Sequence, residues 1–262
     1  MLINTVILFL KDALPVAITI AIILVLLDEQ KDLLKNILLG CVIGLGFSVV
    51  FINYVDLIAQ LDEGNGLELF SASIYIAVYL LCLALLYSKC FVKTQDGLGF
   101  LTCTLITFVM FLNGSNLMVY ITGYWSQSGA VNAIVLGVLL GLGISVSVAI
   151  LMYFSVFYCQ QKISHWVSSF ILLLFASGQI IHASNLLLPI DYLPESEILW
   201  NTNHLVSQTS EFGHFLTAFI GYEASPTSLQ FMLYVFAFLM PVIFMFANRA
   251  KFRANVNKEF VF

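Results

Sequence analysis

Inside the apolar run FLKDALPVAITIAIIL, residues 9–24, a lysine, an aspartate and a proline stand within one turn and a half: Lys11, Asp12 and Pro15. A charged side chain at the centre of a membrane helix costs at least about 2.5 kcal/mol, so an intramembrane carboxylate normally faces a pathway or a partner. Asp12 and Pro15 are three apart and share a helix face. A second segment, FLNGSNLMVYIT from Phe111, places Asn113 and Asn116 at the same spacing, with Gly114 and Ser115 between them. Proline frees the carbonyl one turn back and glycine loosens the turn. Carboxylate, carboxamide and freed carbonyl oxygens together are the donors a cation site needs. A third segment, GQIIHASN, offers His182 and Asn185, again three apart. Each has a plainer reading. Lys11 can extend its ammonium to the headgroups, asparagines join helices for about 1 kcal/mol each, and a lone histidine is commonly a packing residue. Asp12 is the residue for which the functional reading is stronger.

The elements that must position these groups are membrane helices. Of 262 residues, 61% are hydrophobic and 10% charged, with a mean hydropathy of +1.00, too little charge to cover a soluble domain. Seven apolar runs are each long enough to cross a hydrocarbon core of roughly 30 Å. They are Val6–Leu27, Leu33–Val55, Phe70–Phe91, Phe100–Gly123, Ala133–Phe157, Val167–Leu188 and Leu229–Phe246. Lipid offers backbone groups no partners, which leaves helices or a closed barrel, and continuous rather than alternating apolarity rejects the barrel. MLINT has no basic region and no cleavage site follows the first run, so that run is expected to stay in the protein. The five cysteines are scattered without a C-x-x-C pair and read as packing residues.

The basic residues sort by loop. Lys31 and Lys35 follow the first span, Lys89 and Lys93 the third, Lys162 the fifth, and Arg249, Lys251, Arg253 and Lys258 the seventh. By the positive-inside rule the N-terminus is outside and the C-terminus in the cytoplasm, as an odd span count also requires. The opposite loops are acidic, with Asp56, Asp62, Glu63 and Glu68 in one and Asp191, Glu195, Glu197, Glu211 and Glu223 in another. Asp62, Glu63 and Glu68 are candidates for an outer vestibule that concentrates cations.

Two segments repeat. LGCVIGLGFSV from Leu39 and LGVLLGLGISV from Leu136 both read L-G-x-x-x-G-L-G-x-S-V, and the preceding FLKDALPVAIT and FLNGSNLMVYIT align as well. Three spans per copy is odd, so the copies lie in opposite orientations, the plan of many secondary transporters with a site between them. The expected fold is therefore all-α: one polytopic membrane domain with seven transmembrane helices. It divides into an inverted 3+3 repeat (6–91 and 100–188), an outer amphipathic segment at 189–228, a seventh helix at 229–246 and a tail at 247–262.

The order of these features resembles the oxidase-dependent, high-affinity iron permease family of bacteria and fungi. The likeness is carried by His182, Trp200, Gly213 and the stretch GYEASPT from Gly221, with ELF at Glu68–Phe70 and the two glycine-rich segments. Members carry an Arg-Glu-Gly-Leu-Glu segment in the first and fourth spans. Here those positions read Lys11-Asp12-Ala13-Leu14-Pro15 and Leu112-Asn113-Gly114-Ser115-Asn116, so one carboxylate of four remains. The resemblance implies a permease of the cytoplasmic membrane importing iron or another metal cation, with Asp12 as its metal ligand. It also implies a periplasmic or extracellular metal oxidase or cupredoxin-like partner. Ferric iron favours anionic oxygen ligands, and the lost carboxylates favour an ion of lower charge. The same losses suit a second reading, a non-transporting paralogue that serves a metal-uptake complex as an assembly or regulatory subunit. No resident cofactor, nucleic-acid partner or enzymatic activity is expected. There is no H-E-x-x-H and no nucleophile elbow, His204 and His214 lack ligand spacing with His182, and the seventh span has no lysine for a retinal Schiff base.

Overall fold

The computed structural model describes residues 2–92, 95–124, 130–164 and 166–259; Lys93 and residues 260–262 of the tail lie outside them. Nine α-helices follow one another among the described residues: α1 (Leu2–Leu26), α2 (Leu33–Ile52), α3 (Val55–Ala59), α4 (Gly66–Tyr87), α5 (Gln95–Tyr124), α6 (Ala130–Lys162), α7 (Val167–Leu187), α8 (Glu211–Ile220) and α9 (Ser228–Glu259). All but the short α3 and α8 are long and apolar enough to cross a membrane. No strand is present among these residues; Ile198 and Thr227 form one isolated bridge. The chain is an all-α, multi-pass membrane protein.

Several boundaries differ from the sequence expectation for local reasons. The second span stops at Ile52, where Asn53 and Tyr54 turn the chain into α3. The third begins earlier, at Gly66, and ends in a π-helical turn over Ser88–Val92. The seventh continues to Glu259, because no glycine or proline follows Pro241 to stop it.

Glycines decide how the long helices pair. Gly40 and Gly44 of α2 lie against α5: an added Cβ would stand 2.7 Å from the Cys103 carbonyl oxygen and 2.7 Å from Met110 Cβ. Gly137 and Gly141 of α6 lie against α1, where the same atoms would meet Thr5 Cγ2 at 2.5 Å and Phe9 Cβ at 2.6 Å. Both pairs run parallel, since contacts advance along both helices together. The third glycine of each segment, Gly46 and Gly143, faces open space. The serines that follow behave alike too: Ser48 Oγ donates to the Gly44 carbonyl at 2.9 Å and Ser145 Oγ to that of Gly141 at 2.8 Å. Met110 stands four residues before Gly114, and Phe9 four before Ala13. The contacts therefore have the register that sets Asp12-Ala13 against Asn113-Gly114.

Burial separates inner from outer helices. Of the most apolar stretch, 56% is buried in α1, 50% in α5 and 56% in α7, against 17% in α6 and α9. The three innermost helices are those carrying Asp12, Asn113 and His182. Helix α9 is tied in by one bond that its proline makes necessary. Pro241 leaves the Ala237 carbonyl without its helical donor, and the buried Tyr79 hydroxyl of α4 donates to it at 2.9 Å.

Two outcomes test this packing by thermal unfolding in detergent. Gly141→Val should destabilise the protein by about 1–3 kcal/mol, whereas Gly143→Val, in open space, should leave its melting temperature unchanged. Tyr79→Phe should cost about 1–3 kcal/mol by orphaning the Ala237 carbonyl, and a wild-type melting curve would refute that role.

Candidate ion site

Helix α1 is unbroken through Pro15, because only the Lys11 carbonyl loses its donor there and Thr19 Oγ1 reinforces the next turn by donating to the Pro15 carbonyl at 2.6 Å. Helix α5 is likewise unbroken through Gly114. The expectation of loosened turns exposing several carbonyls is corrected here. Asn113 Nδ2 donates to the Val109 carbonyl at 2.8 Å and Ser115 Oγ to that of Leu112 at 2.9 Å, so these side chains serve their own helix. Gly114 has a steric task instead: a Cβ there would stand 2.7 Å from Ser48 Oγ. Ser48 also lies 3.1 Å from the Phe111 carbonyl oxygen, an alternative acceptor for its hydroxyl.

The two motif segments meet across α1 and α5. Asp12 is buried at 6% exposure, and the side chain of Asn116 is close enough to act on its carboxylate. Farther along the crossing, Thr5 Oγ1 and the Tyr120 hydroxyl are 3.0 Å apart. Asp12 and the buried Asn113 both line a cavity of about 490 Å³ between α1, α5 and α6, which Ser145 also lines. Ala13, which carries the methyl group that Gly114 lacks, stands on its wall. Apart from these few polar groups the lining is aliphatic and aromatic, from Val16 down to Leu24 on α1 and from Leu142 to Phe154 on α6.

Around Asp12 the neighbours are polar on a second side. Lys11 and Asn116 are exposed and Pro15 is half-buried. Tyr75 of α4 lies within electrostatic reach of Asp12, and its ring stacks on His182 of α7 with centroids 5.3 Å apart. His182 Nε2 lies 3.1 Å from the Thr217 carbonyl of α8, so that nitrogen carries the proton and donates. Lys11 acts electrostatically on His182 and on His214 of α8. Burial chiefly, with the Lys11 charge adding and Glu211 opposing, holds the His214 imidazole below its ordinary value.

Helix α8 owes its place to small residues at both ends. Ser210 caps it by accepting from the Gly213 amide at 3.0 Å, and any side chain on Gly213 would strike the Ser207 carbonyl. At the other end Gly221 has φ +67° and meets Gly178 of α7 backbone to backbone, with an added Cβ only 2.5 Å from the Gly178 Cα. The segment 189–228 thus contains one amphipathic helix packed on α1 and α7, and a chain on either side of it that pairs with itself. The Leu199 amide donates to the Pro226 carbonyl at 3.0 Å and that of Thr202 to Ala224 at 2.8 Å.

Asn185 is held by partners that the sequence did not single out. Its Nδ2 donates to Glu223 Oε2 at 3.0 Å, and its Oδ1 accepts from Gln230 Nε2. Glu223, Gln230, Tyr75, Thr217 and Ser145 are the residues sequence reasoning missed. Two of them carried a signal, Glu223 as the charged position of GYEASPT and Ser145 as the serine of the repeated segment. The vestibule candidates divide. Asp62 and Glu63 are exposed in a left-handed turn, φ +51° and +58°, and Glu68 is half-buried on α4. The Tyr192 hydroxyl donates to Asp62 Oδ2 at 2.6 Å, a bond that holds that phenol above its ordinary value. No group of three or more histidine, cysteine, aspartate or glutamate side chains that could hold a metal is present among the described residues. Any ion at Asp12 would therefore be completed by carboxamide, carbonyl or water oxygens. Compared with known proteins, the chain matches no family model, no curated protein and no solved structure.

Asn185→Leu should lower stability by about 1–3 kcal/mol, since it removes the donor to Glu223 and the acceptor of Gln230 together. Glu223→Gln should cost less, because a carboxamide still accepts from Asn185. Thermal unfolding of the two variants side by side would reverse that order if Asn185 were only a packing residue.

Proposed function

We propose that the chain is a membrane permease that carries a metal cation, iron or a related ion of lower charge, past the crossing of α1 and α5. The observation carrying this reading is the buried carboxylate of Asp12, which sits in a membrane-spanning helix and lines a cavity together with Asn113 of the corresponding segment. A carboxylate is costly there unless a partner charge or passing ion offsets it. The matched glycine registers, with α1 and α6 parallel and α2 and α5 parallel, support an inverted duplication placing its site where the copies cross. The basic end of the bundle then faces the cytoplasm, and Asp62, Glu63 and the 189–228 segment face outward. A metal oxidase or cupredoxin-like protein delivering the ion would dock on that outer face.

A second reading, the non-transporting subunit, is favoured by one observation. Asn113 and Ser115 turn their donors into their own helix, leaving one carboxylate where a trivalent ion would need several. Radiolabelled iron uptake in a bacterium lacking its own iron permeases separates the two. Asp12→Asn should reduce uptake to background, and Asp12→Glu should retain a measurable part of it. Uptake that survives Asp12→Asn would remove Asp12 from the pathway; a wild-type protein that reaches the membrane and moves neither iron nor any competing divalent ion would favour the subunit.

A further inference from the structure

The cavity beside Asp12 gathers its most polar groups at one end. Gly141 of α6 meets Phe9 of α1 in a parallel pair, so Ser145, four residues on, is level with Ala13. Asp12, Asn113 and Ser145 thus enter the lining together, all buried, at 6%, 7% and 2% exposure. From that level the cavity follows α1 to Leu24 and α6 to Phe154, about 18 Å at 1.5 Å per residue, and no second charged side chain lines it. Past Gly141 no glycine draws α6 onto α1, since Gly143 is turned to open space, and the cavity fills the room left between the helices. Leu142, Val146, Ile150 and Phe154 recur every four residues along its wall and are all exposed. The groove therefore opens along α6 to the surrounding lipid.

We propose that this groove binds a long-chain primary amine entering sideways from the bilayer, with its ammonium on Asp12 and its chain along α1 and α6. The hydrogen-bonding groups match. A primary ammonium has three N–H donors and no acceptor. Asn113 commits its Nδ2 to the Val109 carbonyl and Ser145 its hydroxyl proton to that of Gly141, which leaves the Asn113 Oδ1 and the Ser145 lone pairs as acceptors. With the Asp12 carboxylate the polar end offers three accepting side chains to three donors. Lys11, next in sequence, does not share the Asp12 face and is not part of this wall. A buried carboxylate is costly without a paired charge, and the ammonium supplies one while the apolar walls take the chain. An alcohol of the same length lacks the charge, and a fatty acid is repelled by Asp12. A phospholipid amine brings a phosphate for which the lining holds no cation. The site goes beyond the permease reading and does not rest on it, although an amine seated on Asp12 would exclude an ion from it.

Photolabelling of the purified full-length protein in lipid nanodiscs tests the site apart from transport. The probe is tetradecylamine carrying a diazirine at the end of its chain, and the labelled residues are read by peptide mass spectrometry. Label should fall near Leu24 on α1 and Phe154 on α6. Unlabelled tetradecylamine should displace it about tenfold more effectively than tetradecanol or tetradecanoate, as the loss of a charge-assisted hydrogen bond requires. Butylamine, a head without the chain, should not displace it. This competitor series uses the unaltered protein and so needs no variant to fold. Asp12→Asn should weaken displacement by tetradecylamine about tenfold, and Ala149→Phe, which fills the groove and keeps Asp12, should remove the label. Label that no competitor displaces, or that the alcohol displaces as well as the amine, is partition into the lipid shell only and overturns the proposal, as does displacement unchanged by Asp12→Asn. Displaceable label in a protein that moves no cation would support the amine site and overturn the permease reading alone. Asp12-dependent iron uptake by a protein without displaceable label would overturn the amine site alone.

Discussion

The close approach of backbones at Gly40 and Gly44 on α5, and at Gly137 and Gly141 on α1, is the constraint on which the rest of the structure depends. Lipid tails are as apolar as the side chains they would replace, so helices in a bilayer associate through close packing and interhelical hydrogen bonds rather than by leaving water. A methyl group at any of these four glycines would stand 2.5–2.7 Å from an atom of the facing helix. Those contacts set the depth at which α1 lies on α6 and α5 on α2, and hence the level at which Asp12 and Asn113 reach one cavity. The polar bonds follow from the same register. Thr5 meets Tyr120, and Asn116 comes within reach of Asp12, because the two inner helices are held at that depth by their outer partners.

The backbone imposes the second requirement. Within a membrane each carbonyl freed by a proline needs a donor from elsewhere. In α9 that donor is Tyr79, reaching from α4 to Ala237. In α1 the carbonyl freed by Pro15 belongs to Lys11, the residue beside Asp12. The proline of α1 thus stands beside the buried carboxylate, while in α5 the side chains of Asn113 and Ser115 bond carbonyls of their own helix.

Much of this was legible in the sequence. Seven apolar runs gave seven spanning helices, because length and hydropathy are sufficient where no water competes for the backbone. The repeated L-G-x-x-x-G-L-G-x-S-V marked two helices whose glycines behave alike, while which of those glycines pack and against what is visible only in the structure. Asp12 stood out through the cost of its charge. The partners of Asn185 and His182 were illegible for the opposite reason. Glu223, Gln230 and Thr217 lie in or beside a segment whose path depends on contacts made by single residues, such as Gly221 on Gly178, rather than on any periodicity. Tyr75 was hidden among the 11 tyrosines of the chain, most of them in or near apolar runs.

The asymmetry between the two motif segments bears on what the proposed site could handle. Helix α1 contributes a carboxylate and α5 only carboxamides, so the charge at the crossing lies on the α1 side. Lys11 sits one residue away and lowers the net negative charge further. On the proposed reading an ion there would be held by one anionic oxygen and by neutral dipoles, which cannot neutralise an ion of high charge.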